Sequence, residues 1–302
     1  MNSYARRVFK NSFITFTRFT SPLFYGLFLA KKQVWRDSRV PILMYHKISN
    51  LTDDVEDMWN VPPTLFREHM DYIARNRFHV LSLLEFYDYM TSGKDMPENS
   101  VVITFDDGYE GVYRHAFPLL KEYKFPATIF LACDLDTHPI FWWDEPLIKK
   151  RPHLREEVLP LSWEQIDEMK RSGYISFGSH TMSHPHLGRL PAEDIEYELG
   201  QSKKLLEEKL NEDIIFFAYP FGIRQYGDIS DETARMVVEK GYKLACTSEI
   251  GRNKVGEDVF MLKRIGISHF DNLSSFRTKL VGAYDWVVVA QKTFQHMFKN
   301  KH

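Results

Sequence analysis

The chain has 302 residues, 44% hydrophobic and 26% charged, with a formal net charge of −2. That balance supports one sizeable buried core and excludes both a highly charged disordered chain and a uniformly basic nucleic-acid binder. Two cysteines, Cys133 and Cys246, both inside apolar runs, exclude a disulfide framework and read as core residues compatible with a reducing compartment.

Charge is uneven along the chain. Residues 1–40 hold eight cations (Arg6, Arg7, Lys10, Arg18, Lys31, Lys32, Arg36, Arg39) against the single acid Asp37, so this end carries +7 and the remainder −9. Phe9, Phe13, Phe16, Phe19, Phe24 and Phe28 lie between the cations, a combination suited to an anionic membrane surface. Arg18 interrupts the segment too early for a membrane span. Phe19 to Ala30 is uncharged and long enough for a signal core, yet no small-x-small cleavage site follows. Residues 1–39 are therefore expected to hold a cytoplasmic protein peripherally at the inner membrane, with export or periplasmic anchoring as the alternative.

From residue 41 onward strand and helix signals alternate. Apolar runs at 41–45, 101–105, 127–133, 175–179, 214–219, 243–247 and 263–267 predict buried strands; 64–76, 110–124, 162–172, 191–210 and 231–240 predict helices between them. Ser162 with Gln165 reads as a capping box, and Gly173 as the stop of that helix. Pro191 opens a long helix whose Ile195, Leu199, Leu205 and Leu206 can face a sheet. The alternation predicts an α/β fold with a mainly parallel sheet, one domain over 40–270 with a C-terminal amphipathic helical extension at 271–302.

Chemistry-bearing residues close several of these strands. Val101–Phe105 ends in Asp106-Asp107-Gly108, and Tyr174–Ser179 ends in His180-Thr181-Met182-Ser183-His184. Two adjacent carboxylates and two histidines four apart can hold one divalent metal and leave a carboxylate free as a base. Neighbouring side chains on a regular strand point to opposite faces, so a sharp turn at Gly108 is needed to aim both aspartates into one cavity. Position 181 is not Glu and Pro185 follows, so the histidine pair belongs to a strand-to-loop site rather than a metalloprotease helix. His46, Asp106, Asp107, His180 and Tyr219 all fall at the C-terminal ends of predicted strands, the functional rim of an α/β barrel.

Thr104-Phe105-Asp106-Asp107-Gly108, Ser179-His180-Thr181-Met182-Ser183-His184-Pro185 and Ala218-Tyr219-Pro220-Phe221-Gly222 resemble, in order and spacing, the first three motifs of the polysaccharide deacetylases, carbohydrate esterase family 4. The resemblance spans roughly residues 40 to 270. It implies a distorted (β/α) barrel of about seven strands, Zn2+ or another divalent metal, and removal of an acetyl group from an N-acetylated sugar. It casts Asp106 as general base and Asp107, His180 and His184 as metal ligands, with the backbone N–H of Tyr219 supporting the oxyanion and Pro220 fixing the chain direction.

Two departures from the family pattern matter. Ala218 stands where many members carry the Arg that orients the catalytic aspartate; Arg264 is expected to take over that pairing, its alternative being a surface charge at a strand edge. The usual late Leu-x-x-His segment that supplies the general acid is missing. Pro41-Ile42-Leu43-Met44-Tyr45-His46 resembles the start of the biofilm poly-N-acetylglucosamine deacetylase branch, which makes His46 the expected acid and His269 its competitor.

Phe141-Trp142-Trp143-Asp144 suggests either core or lid packing or an acceptor groove for sugar faces. The expected partner is an N-acetylated glycan of a surface polysaccharide or a lipid-linked precursor, with no nucleic acid; oligomeric state is not specified by the sequence. Alternatives are hydrolysis of another carbohydrate ester or amide, and a non-catalytic carbohydrate-binding assembly subunit.

Overall fold

The computed structural model describes residues 39–51, 57–133 and 140–282. The basic aromatic segment, apart from Arg39, and the chain beyond residue 282 lie outside the described residues. The described strands are β1 (Ile42–Tyr45), β2 (Lys47–Ile48), β3 (Asn60–Val61), β4 (His79–Leu81), β5 (Ser100–Phe105), β6 (Ala127–Leu131), β7 (Ile175–Ser179), β8 (Phe216–Ala218), β9 (Leu244–Ile250) and β10 (Leu262–Gly266).

Seven of these form a closed parallel ring, β1-β5-β6-β7-β8-β9-β10, which returns to β1. Val102–Phe105 of β5 lies beside β1, which leaves its other edge to be shared by β4 at Ser100–Val102 and β6 at Thr104 and Phe105. The barrel predicted from the alternation of elements is thus present, with β4 wedged against its first half. Parallel strands covered on both faces must be apolar almost throughout, and β5 and β6 are buried at every position.

The period of two sorts the strand residues into layers. Leu43, Tyr45, Ile103, Phe105, Ile129, Phe177, Phe217 and Ile265 pack with the surrounding helices. Ile42, Val102, Phe130, Phe216, Leu244 and Leu262 form a separate cluster inside the barrel, closed at its N-terminal end by Leu83, Phe86 and Met90 of the helix Leu83–Ser92. That helix was not anticipated, although its signals are ordinary: Ser82 and Glu85 make a reciprocal capping box and Gly93 ends it at φ 72°.

The predicted capping box of the helix Trp163–Arg171 forms as expected between Ser162 and Gln165. Ile195, Leu199 and Leu206 of the helix Ala192–Leu210 are buried. Cys133 and Cys246 are both buried, as a core role requires. The helix Leu273–Leu280 inserts Phe276 against the buried His69 ring at 3.9 Å, so this part of the C-terminal region belongs to the packed body of the protein.

Candidate active site

The pocket lies where β1, β5 and β7 end. Asp106 continues the ladder by donating its N–H to the Tyr45 carbonyl at 2.9 Å. Asp107 then takes φ 71° and Gly108 φ 94°, so the reversal begins one residue earlier than the glycine-centred turn expected from the sequence. Gly108 still suits the turn, because at φ 94° any side chain is strained, and a Cβ there would also displace Leu131 Cδ2, 2.6 Å away. The outcome is that adjacent aspartates, both buried, serve one cavity.

The histidine loop is bent just as hard. Thr181 has φ 72° and His184 φ 59°, and Phe221 across the pocket has φ 58°. With Asp107, these account for four of the eight described non-glycine residues at positive φ, each costing about 1–3 kcal/mol in strain. Glu198, buried on the helix Ala192–Leu210, holds the loop: its carboxylate accepts N–H bonds from Met182 at 2.8 Å and Ser183 at 3.0 Å, and the Ser183 hydroxyl at 2.6 Å. In the sequence Glu198 is one of several acids on this helix, and nothing in its spacing singles it out.

Asp107, His180 and His184 each present a ligand atom within 4.8 Å of the others. Asp107 Oδ1 is buried without a hydrogen-bond partner. His180 Nε2 stands 3.6 Å from it and His184 Nε2 3.5 Å. Ligand atoms about 2.1 Å from a tetrahedral ion stand about 3.4 Å apart, so the spacing of Asp107 from each imidazole suits a divalent cation. His180 Nδ1–H donates to the Ala218 carbonyl at 2.8 Å, which fixes the tautomer that leaves Nε2 as a lone-pair donor.

The electrostatics agree. Burial, reinforced by the neighbouring Asp106 charge, pushes Asp107 well above the usual carboxylate range; a bound cation would reverse this. Burial also holds His180 and His184 below the ordinary histidine value, His184 strongly so, and neutral imidazoles are the ligand form. A Co2+ titration is expected to saturate at one ion per chain, with His180→Ala weakening binding at least about 100-fold. Undiminished Co2+ affinity in that variant would remove His180 from the ligand set.

Asp106 is held differently. Arg264 reaches it from inside the barrel, its Nη1 donating to Oδ1 at 2.6 Å and Nη2 to Oδ2 at 2.7 Å. The expected pairing therefore forms, and Arg264 is buried rather than a charge at a strand edge: its Nε donates to the Thr247 carbonyl at 2.8 Å and its guanidinium lies over the Phe130 ring. Burial alone would raise the Asp106 pKa, but Arg264, then His180 and His46, bring it down to about 2.

His46 Nε2 stands 4.0 Å from Asp106 Oδ2, and its ring stacks on Trp59 at 4.7 Å. Burial lowers it to about 4 against the opposing pull of Asp106. His269 instead has its Nδ1 3.1 Å from the Asp57 carbonyl and its ring on Phe270. Of the two candidate acids, His46 is the one facing the aspartate.

One expected role fails on geometry. The Tyr219 N–H donates to the Cys246 carbonyl at 3.0 Å, within the β8–β9 edge, and so is not free for an oxyanion. Pro220 has no N–H, and the next amide is that of Phe221, which enters no backbone hydrogen bond among the described residues. Phe221 also sets its ring 4.7 Å from His184 and 3.7 Å from His186. In the aromatic cluster, Phe141 is buried, Trp143 packs 4.6 Å from His184, and Trp142 is exposed.

Comparisons with known proteins point the same way. Residues 93–245 match a family model described as polysaccharide deacetylase. YxkH of Bacillus subtilis, named for that same activity, is 31% identical over 249 residues, covering 82% of this chain and 77% of the other. The poly-beta-1,6-N-acetyl-D-glucosamine N-deacetylase of Staphylococcus aureus is 26% identical over 222 residues, covering 70% of this chain and 68% of the other. Among solved structures, the Streptococcus pyogenes deacetylase PplD in complex with acetate superposes with a TM-score of 0.66 at 26% identity, covering 80% of this chain and 98% of that one. IcaB from Ammonifex degensii shares the fold with a TM-score of 0.67 at 24% identity, covering 82% of this chain and 98% of that one.

Proposed function

The chain belongs to the polysaccharide deacetylase family, hydrolases of carbon–nitrogen bonds, and from that premise we propose that it removes acetyl groups from N-acetylhexosamine units of a surface polysaccharide or a lipid-linked glycan precursor. The observation that carries this reading is the division of labour between adjacent aspartates. Asp107 Oδ1 has no hydrogen-bond partner and stands beside two imidazoles, whereas both oxygens of Asp106 are held by Arg264. A base kept off the ion is needed to activate water and is superfluous in a subunit that only binds sugar.

Asp107, His180 and His184 would hold the cation, for which Zn2+ suits one carboxylate and two imidazoles. Bound there, it supplies Lewis acidity, acidifying water and polarising the acetyl carbonyl. The chain's own groups do the rest. Asp106 takes the proton of the attacking water, with Oδ2 facing His46 and His180, each 4.0 Å away. The Phe221 N–H replaces that of Tyr219 as the backbone donor to the developing oxyanion. His46 protonates the leaving amine from Nε2.

With a pKa of about 4, the His46 imidazole is neutral at pH 7 in the free protein. The proton it hands over therefore reaches it during the reaction, and Asp106 Oδ2 is the adjacent source. His46→Ala is expected to lower kcat by about 100-fold or more while Co2+ affinity is retained. A loss below about threefold would remove His46 from the acid role.

Acetate release from N-acetylglucosamine oligomers, set beside O-acetyl esters and other N-acyl sugars, tests the reading; hydrolysis confined to the esters would overturn it. We further propose that residues 1–39 hold the enzyme against the anionic inner surface of the membrane, since eight cations and one acid alternate there with aromatic residues. Deleting them is expected to move the enzyme from the membrane to the soluble fraction, and unchanged partitioning would reject the anchor.

A further inference from the structure

We propose that Lys47 is a positioning residue, a buried clamp that sets one tryptophan against each side of the reaction pocket: Trp59 against the acid His46, and Trp143 against the metal ligand His184. The inference rests on the acid and ligand roles given above and adds what holds those two rings in place.

Lys47 directly follows His46 and is only 4% exposed. Its ammonium donates to Asp57 Oδ2 at 2.6 Å and to Asp144 Oδ1 at 2.7 Å, and lies over the Tyr109 ring at 4.7 Å. Two chain segments far apart in sequence are thereby drawn to one charge. Burying one cation with two carboxylates costs several kcal/mol in desolvation, and apolar packing of similar volume stabilises a fold at least as well. The ions do supply fixed, directional contacts, and these lead to the pocket by two routes.

On the first route, Asp57 Oδ1 accepts the Trp59 N–H at 3.0 Å, while the Lys47 N–H donates to the Trp59 carbonyl at 3.3 Å. Trp59 is thus fixed from both of its peptide groups, and its indole stacks on His46 at 4.7 Å with the planes 29° apart. On the second, Asp144 Oδ2 accepts the Tyr109 hydroxyl at 2.7 Å, and the Tyr109 oxygen accepts Trp143 Nε1–H at 2.6 Å. The Trp143 ring then lies 4.6 Å from His184. Tyr109 stands two residues beyond Asp107, so this route also braces the turn that carries the third ligand. Lys47 touches no reacting atom; it acts through the two indoles.

The two routes make separable predictions. Because Lys47→Met leaves two buried carboxylates unpaired and can fail to fold, the test uses Asp57→Asn and Asp144→Asn, which keep the shape and one acceptor oxygen. Full-length wild type and variants are titrated with Co2+, followed by the cobalt d–d absorption, and assayed for acetate release. Asp144→Asn is expected to weaken Co2+ binding by about tenfold or more and to alter the d–d band. Asp57→Asn is expected to leave Co2+ affinity and spectrum unchanged while kcat falls by about tenfold or more with KM nearly constant. Equal losses of both properties in both variants, tracking a lowered Tm, would reduce the cluster to a structural ion triplet and overturn the proposal; so would wild-type behaviour in both. Absence of Co2+ uptake by the wild type would sink the metal-site reading instead, leaving the Asp57 route still judged by kcat.

Discussion

Arg264→Met is expected to lose at least about 100-fold in turnover and roughly 3–5 kcal/mol in unfolding free energy, because it strands the Asp106 carboxylate inside the barrel. Few single changes here should cost as much. The guanidinium is buried, makes both bonds to Asp106, and donates a third to the Thr247 carbonyl. Its loss withdraws three directed donors from buried acceptors, and leaves burial as the dominant influence on Asp106. The carboxylate pKa should then rise above the ordinary range, so that near neutrality the base is either protonated or charged at high cost.

The pH dependence has a definite sign. In the wild type the Asp106 pKa lies below its unfolded value, so its stabilising contribution is complete above about pH 4 and is lost as pH falls through about 2. In Arg264→Met the folded value is raised, so the deficit is largest near neutral pH and narrows on acidification as Asp106 takes up a proton. Urea unfolding of both proteins at pH 7 and pH 4 reads this directly. Arg264→Lys should recover part of the stability, since one ammonium supplies the charge but not the fork that meets both oxygens. A methionine variant with stability within about 1 kcal/mol of wild type and turnover within threefold would refute the assignment.

The groups that were legible in the sequence share one property: each ends an apolar strand. His46, Asp106, Asp107 and His180 follow runs whose burial makes a polar successor conspicuous, and in a parallel barrel all such successors collect on one rim. Arg264 was legible only through the resemblance: Ala218 stands where many members carry the arginine that orients the aspartate, and Arg264, in the last predicted strand, is the substitute.

Residues that act from loops or from the backs of helices carried no comparable signal. Lys47 sits in a two-residue strand, and Asp57 and Trp59 in a short turn whose path depends on tertiary contacts. Glu198 reads as one of many acids on a charged helix until the loop it cradles is folded onto it. The error at Tyr219 has a similar origin. Which of two nearby amides stays in the ladder depends on where β8 yields to a left-handed residue, and Phe221 at φ 58° is a residue that intrinsic preference would not place there.

Asp106→Asn separates base chemistry from metal binding more sharply than any other substitution. Asparagine keeps the size and one carbonyl acceptor for Arg264 but cannot take a proton from water, so kcat should fall by about 1,000-fold or more, at the upper end for loss of a general base. The ligand set is untouched, and with the adjacent negative charge gone Asp107 should ionise more readily, because Asp106 is one of the influences that raise its pKa. Co2+ binding is therefore expected to persist within about tenfold, opposed only by the lost long-range attraction of that same charge. Asp107→Asn, by contrast, should lose metal and turnover together, since it removes the one carboxylate of the triad. The pair of variants thus assigns each neighbouring carboxylate by a different measurement. Turnover within tenfold of wild type in Asp106→Asn would place the base elsewhere, and metal loss in that variant equal to that in Asp107→Asn would show that both aspartates are ligands and that no base is held in reserve.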